Sequence, residues 1–287
     1  MGYAPSPRPT FDGPTHIPYS SVTRHLWGDQ ASGEVADWIY VSSDRIHQLV
    51  FGLLPGKMFR HSEAYRTIFA ADVVYYVLSG ALVVANPATG EVQRALPGEA
   101  VFFRRDTWHH ALNDSAEPLR VLELFAPPPA TGASGAYARQ QPYLQAVRYT
   151  QNQWLERWPA AQKEAQRQAT LRVIRAADTL WRIEGYEHPT PVGILVSTEH
   201  LTAGKLCLLP GQQTDLHTHG GDESLYIVEG TLNVRVPDHA GQRWFELGPG
   251  DGFFVPQGAP HQYYNIAAQP ATAVFGVAPR YLSDERP

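Results

Sequence analysis

Four features of the chain recur at one fixed separation of 152 positions: Gly98 with Gly250, His109 with His261, Asn113 with Asn265, and Ala126-Pro127 with Ala278-Pro279. Two further glycine pairs follow at separations of 150 and 155, Gly80 with Gly230 and Gly56 with Gly211. Self-similarity at a fixed period marks a duplicated structural unit. The chain therefore reads as two copies of one module, whose loops differ by five residues in one place and two in the next. A length of 287 residues also suits two domains better than one.

Each copy is built of short β-type runs. DWIYVSS, VVYYVLSG, AVFFRR and LRVLELFAP in the first copy are answered by GILVSTEHL, SLYIVEG, DGFFVP and ATAVFGVAP in the second. With 24 glycines and 24 prolines to punctuate the runs, the pattern is that of an all-β barrel or sandwich. Residues 1–20 carry five prolines and read as an extended arm, free or laid along a neighbouring subunit. Residues 21–130 form the first barrel, closed by Pro127-Pro128-Pro129 and a Gly-rich linker. Residues 131–168 join the copies, and their Gln, Ala, Arg and Glu content from 137 onward favours helix. Trp154, Leu155 and Trp158 are expected to give that segment an apolar side, and Pro159 to open a second helix near Ala160. Residues 169–287 form the second barrel.

Composition excludes several functions. A formal charge of -5 and a pI near 6.2 leave no basic footprint for nucleic acid. The single cysteine, Cys207, excludes an internal disulfide framework and a Cys-rich metal site, and its apolar flanks suggest a small core residue. No apolar h-region follows the start and no run of 18 apolar residues occurs, so a cytoplasmic protein with no membrane partner is expected.

The chemistry gathers in residues 211–265. His217 and His219 are two apart, so on an extended segment both project to one face. Glu223 returns a carboxylate to that face if Gly220-Gly221 makes a tight turn, and a later strand must bring His261 alongside. Three imidazoles and one carboxylate suit a first-row divalent metal.

Both copies resemble the cupin family, whose two motifs are a glycine followed by H-x-H, a glutamate and a glycine, then G-x5-P-x-G-x2-H-x3-N. The second copy carries Gly211, His217, His219, Glu223 and Gly230, then Gly250, Pro256, Gly258, His261 and Asn265. The resemblance covers nearly everything outside the arm and the linker. It implies a bicupin, two tandem jelly-roll β-barrels with a short helical connector. It also implies one divalent ion per chain, from among iron, manganese, nickel, cobalt and zinc. A tetrahedral zinc would be filled by four protein ligands, whereas an octahedral ion keeps two positions open, so iron or manganese is favoured for a catalytic site. Bicupins commonly pair, and a homodimer is expected.

In the first copy Thr67, Phe69 and Val73 stand where His217, His219 and Glu223 stand in the second, and Arg104 and Asp106 replace Pro256 and Gly258. Only His109 remains in register. This barrel is expected to serve packing and dimerisation; the alternative is a displaced second site of His61, Glu63, Asp72 and His109. His110 should point away from His109.

Around the intact site, Tyr263 lies two residues beyond His261 and so on the ligand face, where its hydroxyl can bind substrate or act as an acid. Asp222 reads as a solvated turn residue, Tyr226 as outward, and one of Phe253 and Phe254 as inward. Arg235 and Arg243 are the cationic candidates, both expected at the surface, and a mouth poor in cations disfavours phosphorylated sugars. The expected function is that of a metal-dependent enzyme, an iron(II) dioxygenase acting on a small aromatic or enolisable substrate bound through two oxygens. The alternatives are a redox-neutral isomerase, lyase or hydrolase acting on a sugar or hydroxy acid, and a non-enzymatic metal-containing binding barrel.

Overall fold

The computed structural model of the chain describes residues 6–128 and 135–283. Residues 1–5 of the arm, 129–134 at the end of the first barrel and in the Gly-rich linker, and 284–287 lie outside the described residues. The all-β reading holds. Each copy folds into two packed antiparallel sheets of jelly-roll type, one of seven strands and a smaller one of four strands in the first copy and three in the second.

In the first barrel the large sheet runs Leu171–Ile174, Ala100–Phe103, Asp72–Ser79, Leu119–Ala126, His47–Leu53, Gly33–Ser42 and Thr23–Asp29. In the second it runs Thr15–Ile17, Gly252–Val255, Asp222–Glu229, Ala271–Ala278, Thr202–Leu208, Thr190–Ser197 and Leu180–Glu184. The first strand named in each sheet comes from the other copy. Thr15 pairs with Phe254 and Ile17 with Gly252, while Leu171 pairs with Phe103 and Ile174 with Ala100. An unpaired sheet edge leaves a row of N–H and C=O groups without partners, and here each copy covers the other's edge. The arm thus lies on its own chain rather than hanging free, fixed by Asp251, which accepts hydrogen bonds from Tyr19 N at 2.9 Å and meets His16 at 3.0 Å.

Period-two alternation divides the strands' side chains between two environments. Inward residues such as Val73, Tyr75 and Val77 fill the first barrel, and Leu225, Phe253 and Val255 fill the second. Outward residues Tyr40, Val50, Leu122 and Leu124 pack against Tyr226, Phe254 and Val274 in a third core between the barrels. Phe253 and Phe254 therefore part to opposite faces, and the outward Tyr226 meets Tyr40 edge to face at 5.5 Å. The same alternation corrects the reading of Cys207, which is exposed because Leu206 and Leu208 take the inward positions on either side.

The duplication is visible in the side-chain bonds that hold the loops. The Asn113 amide donates to the carbonyls of Leu53 and Glu117, and the Asn265 amide to those of Leu208 and Gln269. The connector is helical at Gly135–Gln140 and Ala160–Gln168, the second helix starting directly after Pro159. Between them the chain straps across the first barrel, with Arg148 N donating to Pro87 O at 2.8 Å. The expected apolar side does not form: Leu155 and Trp158 are exposed, because Glu156 adopts a left-handed φ of 63° and interrupts the helix.

Leu124 is fully buried in the core between the barrels. Leu124→Ala is expected to lower the unfolding free energy by about 2–5 kcal/mol. Urea denaturation followed separately by tryptophan fluorescence and by circular dichroism should show one shifted transition, since the exchanged strands tie the barrels together.

Candidate metal centre

His217 and His261 face each other as an antiparallel backbone pair, each N–H donating to the other's carbonyl at 3.0 Å. That pairing brings segments 44 positions apart into one site. Each ring is then fixed by a carbonyl acceptor at Nδ1: Asp215 O at 2.8 Å for His217, Tyr281 O at 2.8 Å for His219 and Ala259 O at 3.0 Å for His261. With the proton on Nδ1 assigned by these bonds, each Nε2 presents a lone pair to the centre. The potential ligand atoms of the three rings lie within 4.8 Å of one another.

Glu223 opens the strand Asp222–Glu229 immediately after the Gly220-Gly221 turn. A Cβ on Gly221 would lie 2.2 Å from Ala278 O, so only glycine lets the chain pass there and return the carboxylate inward. Glu223 Oε2 sits 2.9 Å from His261 Nε2 and 3.5 Å from His219 Nε2. With the His261 proton spent on Ala259 O, Glu223 Oε2 and His261 Nε2 meet as two buried acceptors, and neither has another hydrogen-bond partner. Burying polar atoms unpaired costs about 1–3 kcal/mol each, and a shared cation removes that cost.

The charge states agree with such a use. Burial pushes the His217 imidazole down to about 3, with its neighbours His261 and His219 adding to the effect, and burial likewise lowers His219. Burial alone would raise Glu223, but the surrounding histidines outweigh it and hold the carboxyl at about 2. Neutral imidazoles and an ionised carboxylate form a donor set that fits a divalent first-row ion. We propose His217, His219, Glu223 and His261 as its ligands.

The centre opens on a cavity of about 620 Å³ lined by Arg182, Tyr186, Thr190, Phe275 and Tyr281 as well as by His217, His219, Glu223 and Tyr263. Tyr263 is buried with its ring 5.2 Å from that of His261, and its hydroxyl faces Glu223. Burial, followed by the charge of Glu223, pushes that hydroxyl well above the ordinary phenol range, so it stays protonated. Tyr281 donates to Glu184 Oε2 at 2.7 Å. Neither Arg235 nor Arg243 lines this cavity; the arginine at its wall is Arg182, 3.5 Å from Glu184. Sequence reasoning missed it because the strand Leu180–Glu184 carries no motif. Its signal was the alternation Leu180, Arg182, Glu184 on an edge strand beside the second barrel.

The displaced site in the first barrel does not exist. His61 Nδ1 contacts His110 Nε2 at 2.6 Å, and its Nε2 donates to Leu144 O at 2.9 Å. Asp72 is held by Arg104 at 2.9 and 3.2 Å, Glu63 is exposed, and His109 Nε2 meets the Tyr75 hydroxyl at 3.0 Å. The strand was not re-registered: His109 N donates to Thr67 O, just as His261 N does to His217 O, so Thr67, Phe69 and Val73 hold the ligand positions. Asp222 is likewise not a solvated turn residue. It is buried between the barrels, accepting from Arg45 at 2.9 Å and Ser43 at 3.0 Å.

Fold and site together define a double jelly-roll protein with one intact candidate metal centre and one degenerate copy of it. The family profile described as "Cupin domain" matches residues 70–125 and 204–277, one segment in each barrel. The chain belongs to the cupin superfamily, as a bicupin. It is 33% identical over 88 residues to oxalate decarboxylase OxdC of Bacillus subtilis, a match covering 30% of this chain and 23% of that protein's length. Among solved structures it resembles a putative glyoxylate-induced protein from Pseudomonas aeruginosa, with 15% identity, 100% of this chain and 97% of that one covered, and a TM-score of 0.65. AerE from Microcystis aeruginosa gives 11% identity, 90% and 97% coverage and a TM-score of 0.59. At such identities these structures speak for the fold alone. No helix among the described residues is long and apolar enough to cross a membrane.

Metal analysis of natively purified protein is expected to give close to one ion per chain, reduced at least tenfold in His217→Ala and in His261→Ala. Full occupancy in the double variant would refute the ligand assignment.

Proposed function

We propose that the chain is a metal-dependent enzyme acting on a small organic acid or enolisable substrate that chelates through two oxygens, with iron-dependent dioxygenation as the reaction. The observation that carries this reading is the buried contact of two acceptors, Glu223 Oε2 and His261 Nε2 at 2.9 Å, at the wall of a cavity that also presents Arg182 and Tyr263. A divalent ion bound there supplies Lewis acidity and, where it is iron, one-electron chemistry with dioxygen. His217, His219, Glu223 and His261 would hold such an ion, and the substrate oxygens would reach it from the cavity side. Arg182 provides a carboxylate partner in the cavity wall. Tyr263, kept protonated by burial and by Glu223, donates a hydrogen bond or a proton to a substrate oxygen at the centre. Phe275, Val192 and Leu206 exclude water from the inner end.

A redox-neutral reading, decarboxylation or another lyase reaction of a small acid, is favoured by a separate observation: the 88-residue match is to a protein named an oxalate decarboxylase. The two part on oxygen. Iron-loaded protein offered a panel of small 2-oxo, 2-hydroxy and dicarboxylic acids is expected to consume dioxygen in proportion to substrate lost. Undiminished turnover under anaerobic conditions, or full activity with zinc, would sink the dioxygenase reading in favour of the lyase.

On whichever acid is turned over, Arg182→Ala is expected to raise KM by roughly 10- to 100-fold, the worth of one charged hydrogen bond. Tyr263→Phe is expected to lower kcat by about 10²-fold or more with metal content unchanged. Steady-state kinetics beside metal analysis checks both.

A further inference from the structure

The interior of the first barrel holds two acids that the degenerate metal motif does not account for. Asp37, on Gly33–Ser42, and Glu123, on Leu119–Ala126, both point inward and are each 6% exposed. They border a cavity of about 70 Å³ walled by Trp27, Phe51, Phe59, Phe69, Tyr75 and Phe125. Register places Glu123 opposite Leu49 and Tyr75, and Asp37 opposite Phe51. In the second barrel the same ladder positions hold Phe275, opposite Gly204 and Leu225, and Val192, opposite Leu206. The acids therefore stand where the other copy is apolar, in a cavity that Thr67 and Phe69 also line.

Glu123 Oε1 is buried without a hydrogen-bond partner. No positive side chain among the described residues offsets either carboxyl: burial alone acts on Asp37, and burial followed by Asp37 acts on Glu123. Two acids aimed into an aromatic-walled cavity form a receptor for an organic cation, with carboxylate counter-ions and ring faces that attract positive charge.

We propose that the first-barrel cavity binds a small protonated amine, with Asp37 and Glu123 as its counter-ions. At about 10–15 Å³ per water-sized centre, the space admits roughly five heavy atoms, the size of butylammonium. The other titratable groups facing the cavity are Tyr75, His47 and His109, and His25 stands opposite Asp37 on the strand Thr23–Asp29, lowered by burial. Burial lowers His47 to about 3 and His109 to about 4, so neither ring neutralises the acids. Burial raises Tyr75 well above the phenol range.

The free cavity keeps both carboxyls protonated well above the carboxylate range, and a bound ammonium favours their ionised forms. Binding therefore releases protons and tightens as pH rises towards the raised values of the free carboxyls, as long as the amine itself stays protonated.

Titration calorimetry of the full chain with butylammonium chloride, in two buffers of different protonation enthalpy and with 1-butanol as neutral isostere, tests this. One site per chain, net proton release, at least tenfold weaker binding of 1-butanol and at least tenfold weaker binding to Asp37→Asn/Glu123→Gln are expected. Prior chelation of metal should leave the affinity unchanged. Absence of butylammonium binding, equal binding of 1-butanol, binding that survives the double substitution, or binding lost on chelation would each overturn the proposal. Should the double variant fail to fold, the comparison of butylammonium with 1-butanol on the unaltered protein decides alone.

Discussion

Reciprocal strand pairing, Thr15–Ile17 on Gly252–Val255 and Leu171–Ile174 on Ala100–Phe103, ties the fate of each barrel to the other. The pairing closes the edges next to which both outward aromatic layers pack. Tyr40 sends its hydroxyl to Gly250 O, and the ring lies where a Cβ on Gly252 would fall, 2.5 Å from Tyr40 Cδ1. Each backbone hydrogen bond is worth only about 0.5–1.5 kcal/mol net. Their larger effect is geometric: they fix the tilt at which the two outer faces meet, and the apolar layer of Tyr40, Leu124, Tyr226 and Phe254 then does most of the holding. Asp222, itself buried, adds an ionic contact from the second barrel to the exposed Arg45 of the first, one residue before the carboxylate of the candidate centre. The candidate centre is thus braced from behind by the degenerate copy.

That bracing bears on chemistry because the site holds its polar atoms under strain of desolvation. Three imidazoles and a carboxylate are gathered in a nearly dry wall, with every Nδ1 spent on a carbonyl and the Nε2 atoms and Glu223 turned inward. A flexible wall would relax by turning a ring to water. Here the backbone pair of His217 with His261 and the carbonyl of Tyr281 leave the rings no such freedom. Preorganisation of this kind lets a cation bind without reordering its ligands and keeps open positions on the cavity side, where His217 is the half-buried member.

Much of this was legible in the sequence because it depends on local spacing. Histidines at i and i+2, a Gly-Gly turn and a carboxylate four residues on specify one face of one strand, and a fixed repeat distance specifies two barrels. What depends on pairing between distant strands was not legible. Leu171–Ile174 belongs by position to the second copy and by hydrogen bonding to the first. Arg182 reaches the cavity only because its strand is the outer edge of the sheet. Cys207 lies in an apolar run that suggests burial, yet alternation turns it out. The displaced cluster of His61, Glu63, Asp72 and His109 looked attractive by composition, and failed because the loop difference before the strand was absorbed in the loop and left the ladder in register.

The two barrels show how one scaffold can carry different charge centres. In the second, ionisable groups stand at residues 217, 219, 223 and 261, while Phe275 and Val192 are apolar. In the first, Thr67, Phe69 and Val73 stand at the candidate ligand positions, and Glu123 and Asp37 place acids where the second copy has Phe275 and Val192. A barrel that carried both sets would confront a divalent centre with three carboxylates in one dry interior. The extra acids would then compete with Glu223 for the ion and with substrate oxygens for its open positions. Duplication removes that conflict, because each set of charges has its own interior and the apolar layer between the barrels separates them.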